Sequence, residues 1–439
     1  MGGETKDILI VPFFGQGHLF PCAELCKHLS SYNCNSIFII PSHLSSYIPS
    51  DLHHNPSIEV VRIESSEVTP PPDASNGDWS AARSHRDHHL GLGIKSFLSR
   101  RFKNAPPAFV VMDVMMYWSK HIFKKANIPI VSFFTSGACT AAMEYAAWKA
   151  HVDNIGPNTA RIIPELPDLS DSDIRRRDRR RHQPCWMDET EDSTALLINT
   201  CNSLESPFVK YLEGQAEKPI FGVGPLLPGT FWKSIGSVVH DRDSRPGRET
   251  NYTEDEVIQW RIRSLVALSS TCHLPEAGRA SPPVHFFGGR ATLDSKEGGY
   301  EPHGLEERVG NKGLIIKGWA PQLSILSHPS TGGFLSHCGW NSTVEAIACG
   351  TPILSWPIRG DQFYNAKLVV KYHHVGNMVP GIDDLSEMVK KSNIIQGINL
   401  LMDDGEVHYR ATALKGIFEG DYPSSSAASF KALVELISK

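Results

Sequence analysis

The chain has 439 residues with 41% hydrophobic and 21% charged content, enough for two globular domains that each bury a core. A net charge of −5 gives no reason to expect nucleic acid or an anionic membrane as partner, and no apolar run approaches the length of a membrane span. Nine cysteines lack the paired spacing of a disulfide framework; free thiols, a reducing compartment and a cytoplasmic location are expected.

The first residues, MGGETKDILIVPFF, have no basic region followed by a long apolar stretch, so they read as a strand and not as a signal peptide. Asp7 to Phe14 is predicted to be a buried strand, followed by Gly15-Gln16-Gly17-His18 and a helix over Pro21 to Leu29. Gly-x-Gly after a strand invites a dinucleotide site. Phe20 stands at the third glycine position, however, and the next strand, Ser36 to Ile40, ends in Pro-Ser instead of an acid. An NAD-type oxidoreductase is disfavoured.

His18 stands at the carboxyl end of the first strand, where open α/β sheets place their ligands. Pro107 to Met112 is another apolar strand with Asp113 at its tip. Strand tips at one edge of a parallel sheet converge, so these two side chains can meet. A carboxylate on one imidazole nitrogen would fix the tautomer and leave the other nitrogen as a base. Asp113 equally suits a helix N-cap, since a helical pattern follows it. Pro129 to Phe134, Ala195 to Asn199 and Ile220 to Val223 are further strands.

Other features fail as sites. His85-Arg86-Asp87 lacks the asparagine and glycine-rich loop of a kinase, and His85 with His89 lacks a third metal ligand. The run Arg175 to Arg181 reads as a solvated loop, and no Gly-x-Ser-x-Gly elbow supports a hydrolase. Gly222 to Pro228 marks the end of a first domain and a polar linker follows, with Trp260 expected to open the second. No apolar strand precedes Ser264, and Ser281 to Gly289 carries prolines and glycines that make a poor central strand.

The chain is organised around Trp319 to Gln362, WAPQLSILSHPSTGGFLSHCGWNSTVEAIACGTPILSWPIRGDQ. Gly332 to Ser336 is a predicted strand, His337-Cys338-Gly339 a turn, Asn341 to Ala348 a helix stopped by Gly350, and Pro352 to Trp356 the next strand. A helix that starts directly after a strand offers free N–H groups and a positive dipole end to an anion. His337, Asn341 and Ser342 could donate to phosphate oxygens there. Trp319 could stack on a flat base, Glu345 could accept from ribose hydroxyls, and Asp361 and Gln362 are fit to hold a sugar.

This stretch resembles, from first residue to last, the signature of plant secondary-product UDP-glycosyltransferases, and the likeness extends more loosely over most of the chain. The resemblance implies an α/β fold of two Rossmann-like doubly wound domains facing across a cleft, the GT-B architecture. Residues 1–228 would bind the acceptor, 229–253 form the linker, 254–423 bind the UDP-sugar, and 424–439 form a helix packing back on the N-terminal domain. It assigns His18 as catalytic base and Asp113 as its partner. Donor binding falls to Trp319 at uracil, Glu345 at ribose, and His337, Asn341 and Ser342 at the diphosphate. Trp340, Asp361 and Gln362 fall around the sugar, with Gln322, Gly339 and Thr135 as further donor contacts. Gln362 is the family's usual residue for glucose donors. Acceptor candidates are Phe14, Met115, Met116, Trp118, Phe134 and Trp148, all equally good core residues by pattern.

The implied activity is inverting, metal-independent transfer from UDP-glucose to a hydroxyl of a small apolar or phenolic acceptor. Apart from the UDP-sugar co-substrate no cofactor is expected, and neither is a nucleic-acid or membrane partner; the chain is expected to be a monomer. In one respect it departs from the family, which runs from a tryptophan at the Trp260 position into a strand and a Ser-Phe-Gly-Ser loop. Either residues 230–300 form an atypical strand from unexpected sequence, or the C-terminal domain is missing a strand. The second alternative implies an inactive or weakly active relative that binds UDP or a small ligand without efficient transfer.

Overall fold

The computed structural model of the chain describes residues 5–64, 80–152, 190–233, 264–269, 285–288, 304, 307, 315–317, 320–329, 331–382, 389–420 and 422–437; for 80–86, 147–152, 264–269, 285–288 and 315–317 the description is of the backbone. The Arg175–Arg181 run, Trp260, Trp319 and the side chains of His85 and Trp148 lie outside the described residues.

The first sheet is built from β1 (Lys6–Val11), β2 (Cys34–Pro41), β3 (Ile58–Ile63), β4 (Phe109–Asp113), β5 (Ile130–Phe134), β6 (Ala195–Ile198) and β7 (Ile220–Gly222). These seven strands are all parallel and lie in the order β3-β2-β1-β4-β5-β6-β7. Ile8 to Val11 and Phe109 to Asp113 are buried throughout, as near-continuous apolar strands covered on both faces require. The strand order reverses between β1 and β4. That reversal opens a crevice beyond their carboxyl ends, the place where doubly wound sheets hold ligands.

The second sheet repeats the plan. Its strands are β8 (Ser264–Ser269), β9 (His285–Gly288), β10 (Ile315–Lys317), β11 (Thr331–Ser336), β12 (Ile353–Ser355) and β13 (Gly376–Met378), six in the order β10-β9-β8-β11-β12-β13. All pairings are parallel and the order reverses between β8 and β11.

The first strand of this sheet is present, which corrects the expectation that the C-terminal domain is missing a strand. Spacing from Trp260 puts a loop at Ser264, but a central strand begins there. Leu265-Val266-Ala267-Leu268 supplies its apolar run, paired with Gly333 to Ser336 on one side, and β9 pairs on the other. The register slips between Thr331 and Gly333, where two glycines admit the irregularity. Pro282 and Pro283 lie ahead of β9, so neither removes an N–H from its ladder.

The helices that position the site are α1 (Gln16–Ser30), α2 (Ala138–Val152), α3 (Asn202–Gln215), α4 (Gln322–Ser327), α5 (Trp340–Cys349), α6 (Gln362–Lys367) and α7 (Ser424–Ile437). Gly350 ends α5 at φ 72°, the left-handed stop that a side chain would strain. One apolar cluster runs unbroken from Ala142, Leu204 and Phe208 on the first sheet's helices to Phe334, Trp340, Ile347 and Ile353 of the second unit.

The terminal helix α7 crosses to the other core. Its Phe430 and Leu433 are buried beneath the first sheet, and the Phe430 ring stacks on His28 at 5.2 Å and on Tyr32 at 5.8 Å. Ser426 donates to the Gly224 carbonyl and Lys6 to the Ile437 carbonyl, fixing both ends of the helix. No helix among the described residues is long and apolar enough to cross a membrane. The described cysteines are unpaired thiols.

Candidate active site

Pro12 cannot extend the β1 ladder, so Pro12-Phe13-Phe14 leads out of the sheet and α1 begins at Gln16. His18 therefore sits in the first turn of α1, at the mouth of the β1/β4 crevice, with the Phe13 ring edge-on at 5.1 Å. Asp113, at the tip of β4, divides its oxygens between two tasks. Oδ2 lies 2.7 Å from His18 Nδ1, while Oδ1 accepts from the Met115 N–H at 2.9 Å and caps the turn that follows. The two readings of Asp113 are thus both present in one buried carboxylate.

A carboxylate only accepts, so His18 Nδ1 carries the proton and Nε2 is left as the basic nitrogen. Thr135, just past β5, places its hydroxyl 2.9 Å from the same Nδ1. The His18 side chain is 28% exposed, whereas that of Asp113 is wholly enclosed. Burial pulls the imidazolium down in pKa, but the charge of Asp113, its hydrogen bond and the charge of Asp361 outweigh it. The result is a base above the ordinary value of 6.5.

Facing it, α5 begins at Gly339, whose extended backbone carries no side-chain cap, so the first amides of α5 are left for a ligand. A Cβ on Gly339 would come within 2.6 Å of the His337 ring, so a side chain there would displace the imidazole. His337 is held below its ordinary pKa chiefly by burial and is therefore neutral, and its Nδ1 has no partner among the described residues. Cys338 adopts a left-handed φ of 61°, the sharp turn between β11 and α5, held by the Ser336 hydroxyl and by Asn365.

Asn341 reaches the Gly17 carbonyl at 3.5 Å, linking the start of α5 to the His18 loop. Gln322, at the start of α4, donates to Ser342 at 3.2 Å and to Glu345 at 2.8 Å, so these three candidates form one cluster. Asp361 Oδ2 accepts from Ser136 at 2.9 Å and from Asn365 at 3.1 Å. Gln362 Oε1 accepts from the amides of Ile358 and Arg359, both at 2.9 Å, which closes the loop before α6.

Trp340 differs from the other signature residues. It is 3% exposed, its indole N–H donates to the Asn199 carbonyl at 2.7 Å, and its ring packs against Gly137. The side chain serves the junction between the two units; what it can offer a sugar is its backbone. Of the acceptor candidates, Met116 is fully buried, Phe14 and Phe134 are buried beside the site, and Trp118 packs near Gly91. Met115 is 47% exposed, directly after Asp113.

Several residues of this arrangement escape a reading of the sequence. Phe13 touches His18. Ser136 and Asn365 hold Asp361; the i, i+4 spacing of Asp361 and Asn365 is a usable signal, whereas Ser136 gives none. Asn199 binds Trp340 across the junction, a contact between residues far apart in the chain.

Comparison with known proteins identifies the family. The family described as "Glycosyltransferase, N-terminal domain" matches residues 4–228, and that described as "UDP-glucoronosyl and UDP-glucosyl transferase" matches residues 298–405. UDP-glycosyltransferase 73B3 of Arabidopsis thaliana is 25% identical, covering 94% of this chain and 93% of its own. An anthocyanin 3'-O-beta-glucosyltransferase of Gentiana triflora is 26% identical, with 94% of each chain covered.

Among solved structures, Medicago truncatula UGT71G1 complexed with UDP-glucose superposes with a TM-score of 0.72 at 22% identity over 99% of both chains. Os79 from O. sativa in complex with UDP reaches 0.76 at 20% identity, covering 98% of this chain and 100% of that one. At these identities the structures establish the fold, two doubly wound sheets of GT-B type. Taken with the family match over the whole first sheet, they lead to one conclusion: the chain belongs to the plant UDP-glycosyltransferases, the family 1 glycosyltransferases.

Proposed function

We propose that this glycosyltransferase moves glucose from UDP-glucose to a hydroxyl of a small apolar or phenolic acceptor, with inversion at the anomeric carbon. The observation that carries the reading is the His18–Asp113 pair at 2.7 Å, facing the uncapped start of α5. His18 Nε2 takes the acceptor proton as the oxygen attacks the anomeric carbon, and Asp113 stabilises the imidazolium that forms. The bond from that carbon to UDP breaks on the opposite face. UDP leaves with the electron pair toward the amides of α5, Asn341, Ser342 and neutral His337.

In this reading residues 1–228 hold the acceptor and 254–423 the donor. Trp319 stacks uracil, Glu345 and Gln322 hold ribose, and Gly339, Thr135, Trp340, Asp361 and Gln362 surround the sugar. Exposed Met115, together with Phe14, Trp118 and Phe134, offers apolar surface to the acceptor. Unpaired thiols support the cytoplasm as location, and the enzyme acts as a monomer. The alternative, a ligand-binding relative without efficient transfer, rests on a missing strand and diphosphate loop around Ser264; Ser264–Ser269 supplies the strand, the residues that follow lie outside the described ones, and turnover of UDP-glucose decides between the two readings.

Donor binding can be measured before any acceptor is identified. Calorimetric titration with UDP should give saturable binding, and UDP-glucose with a panel of phenols should yield glucosides. His18→Ala should keep the UDP affinity and lose transfer. Turnover by that variant at the parent rate would remove His18 as the base.

A further inference from the structure

One buried carboxylate outside the family signature lies one remove from His18, Asp361 and Trp340. Glu205 is fully buried in the first turn of α3, and the helix kinks there, with φ −139° and ψ 31°. Its oxygens accept from the first two amides of α2, Oε2 from Ala138 at 2.8 Å and Oε1 from Cys139 at 2.7 Å. Helix α2 begins directly after Thr135-Ser136-Gly137, and those three residues meet the site. Thr135 reaches His18, Ser136 reaches Asp361, and Gly137 gives way to the Trp340 ring.

An enclosed carboxylate without a cation is costly unless donors surround it. Here the two amides and the positive end of the α2 dipole offset that cost. Burial pushes the neighbouring Cys139 and Cys201 thiols up and holds His373, on the segment beside Leu204, down near 4; the Lys367 cation acts on Cys139 from α6.

We propose that Glu205 is a positioning residue of the transfer reaction: by holding the first two amides of α2 it fixes Thr135 and Ser136, and through them His18 and Asp361. The inference rests on the reading of His18 as the base. Burial pushes the Glu205 carboxyl up to about 7, against the opposing pull of the two amides. As pH falls through neutrality the group gains a proton, and a protonated oxygen faces an N–H it can no longer accept from in the same way.

The experiment compares the parent enzyme, Glu205→Gln and His18→Ala, using UDP-glucose and the phenol turned over best. Glu205→Gln keeps the size but turns an NH2 toward one of the two amides. Its kcat should fall roughly tenfold or more while the Kd for UDP stays within roughly threefold, as expected when positioning and not donor binding is lost. Below neutrality log kcat of the parent should fall more steeply than that of Glu205→Gln, whose slope is about one, because protonation of Glu205 loosens the positioning while protonation of His18 removes the base.

A Glu205→Gln enzyme within roughly threefold of the parent kcat, beside an inactive His18→Ala, would overturn the role of Glu205 and leave the base assignment standing. An active His18→Ala would remove both. Should Glu205→Gln fail to fold, Glu205→Asp decides, since it keeps the charge but shortens the reach to the two amides: a kcat within roughly threefold of the parent overturns the proposal.

Discussion

Ser136 Oγ donates to Asp361 Oδ2 at 2.9 Å, tying the loop after β5 to the start of α6 across the cleft between the two sheets. Asp361 also accepts from Asn365 and its charge helps to raise the pKa of His18, so in the proposed reaction one carboxylate would serve the donor side and the base together.

Asp361→Asn should therefore act in two ways. Removing the charge lowers the pKa of His18, so the acid limb of kcat/KM moves to lower pH, since the base must be neutral to act. Loss of a charged hydrogen-bond acceptor should reduce kcat/KM for the donor by about ten- to a hundredfold near neutral pH. A pH–rate profile with varied UDP-glucose checks both.

Asp113→Asn should be more severe. The amide can present an N–H to Nδ1, which stabilises the wrong tautomer and leaves Nε2 protonated. Turnover is expected to fall about a hundred- to ten-thousandfold with UDP affinity retained. Steady-state rates and a UDP titration on the same preparation measure this.

Val266 pairs with Phe334 on one side and His285 on the other, at the centre of the second sheet. Val266→Pro removes its N–H from the ladder, at a cost of about 3 kcal/mol or more by analogy with an interior helix proline. Urea denaturation should reveal the loss, and UDP binding should weaken with it, because β8 lies beside the strand that carries α5.

His28, stacked on Phe430 of α7, is held down near pKa 4 by burial, with Lys27 adding to the effect, and His373 is held there by burial as well. The unfolded chain protonates these groups around 6.5, before the folded one does. Stability should therefore fall as pH drops from about 6.5 toward 4. His28→Phe keeps the stacking and should remove the His28 contribution. Urea midpoints measured at pH 7 and pH 5 for parent and variant give the difference.

Much of this protein is legible one residue at a time. Apolar runs such as Ile8 to Val11 and Phe109 to Met112 announce parallel strands because a strand covered on both faces has no polar side to show. Gly350 ends α5 because a left-handed residue is cheap only without a Cβ. His18 and Asp113 stand at predicted strand tips, and the switch in strand order between β1 and β4 makes those tips neighbours. Strand β8 is harder to read, because only four of its six residues are apolar and the spacing from Trp260 points to a loop.

Contacts between distant segments are decided by the fold. Glu205 reads as an ordinary surface glutamate until the kink in α3 and the burial of the junction turn it onto the amides of α2. Trp340 lies in the signature, yet its ring fills the space that Gly137 leaves, 203 residues earlier by number, and its N–H seeks Asn199. Periodicity and turn chemistry are local, so the sequence by itself determined the strands, the helix starts and the chemical types at the cleft. Which buried polar groups satisfy one another depends on how two sheets pack, and that is a property of the tertiary structure alone.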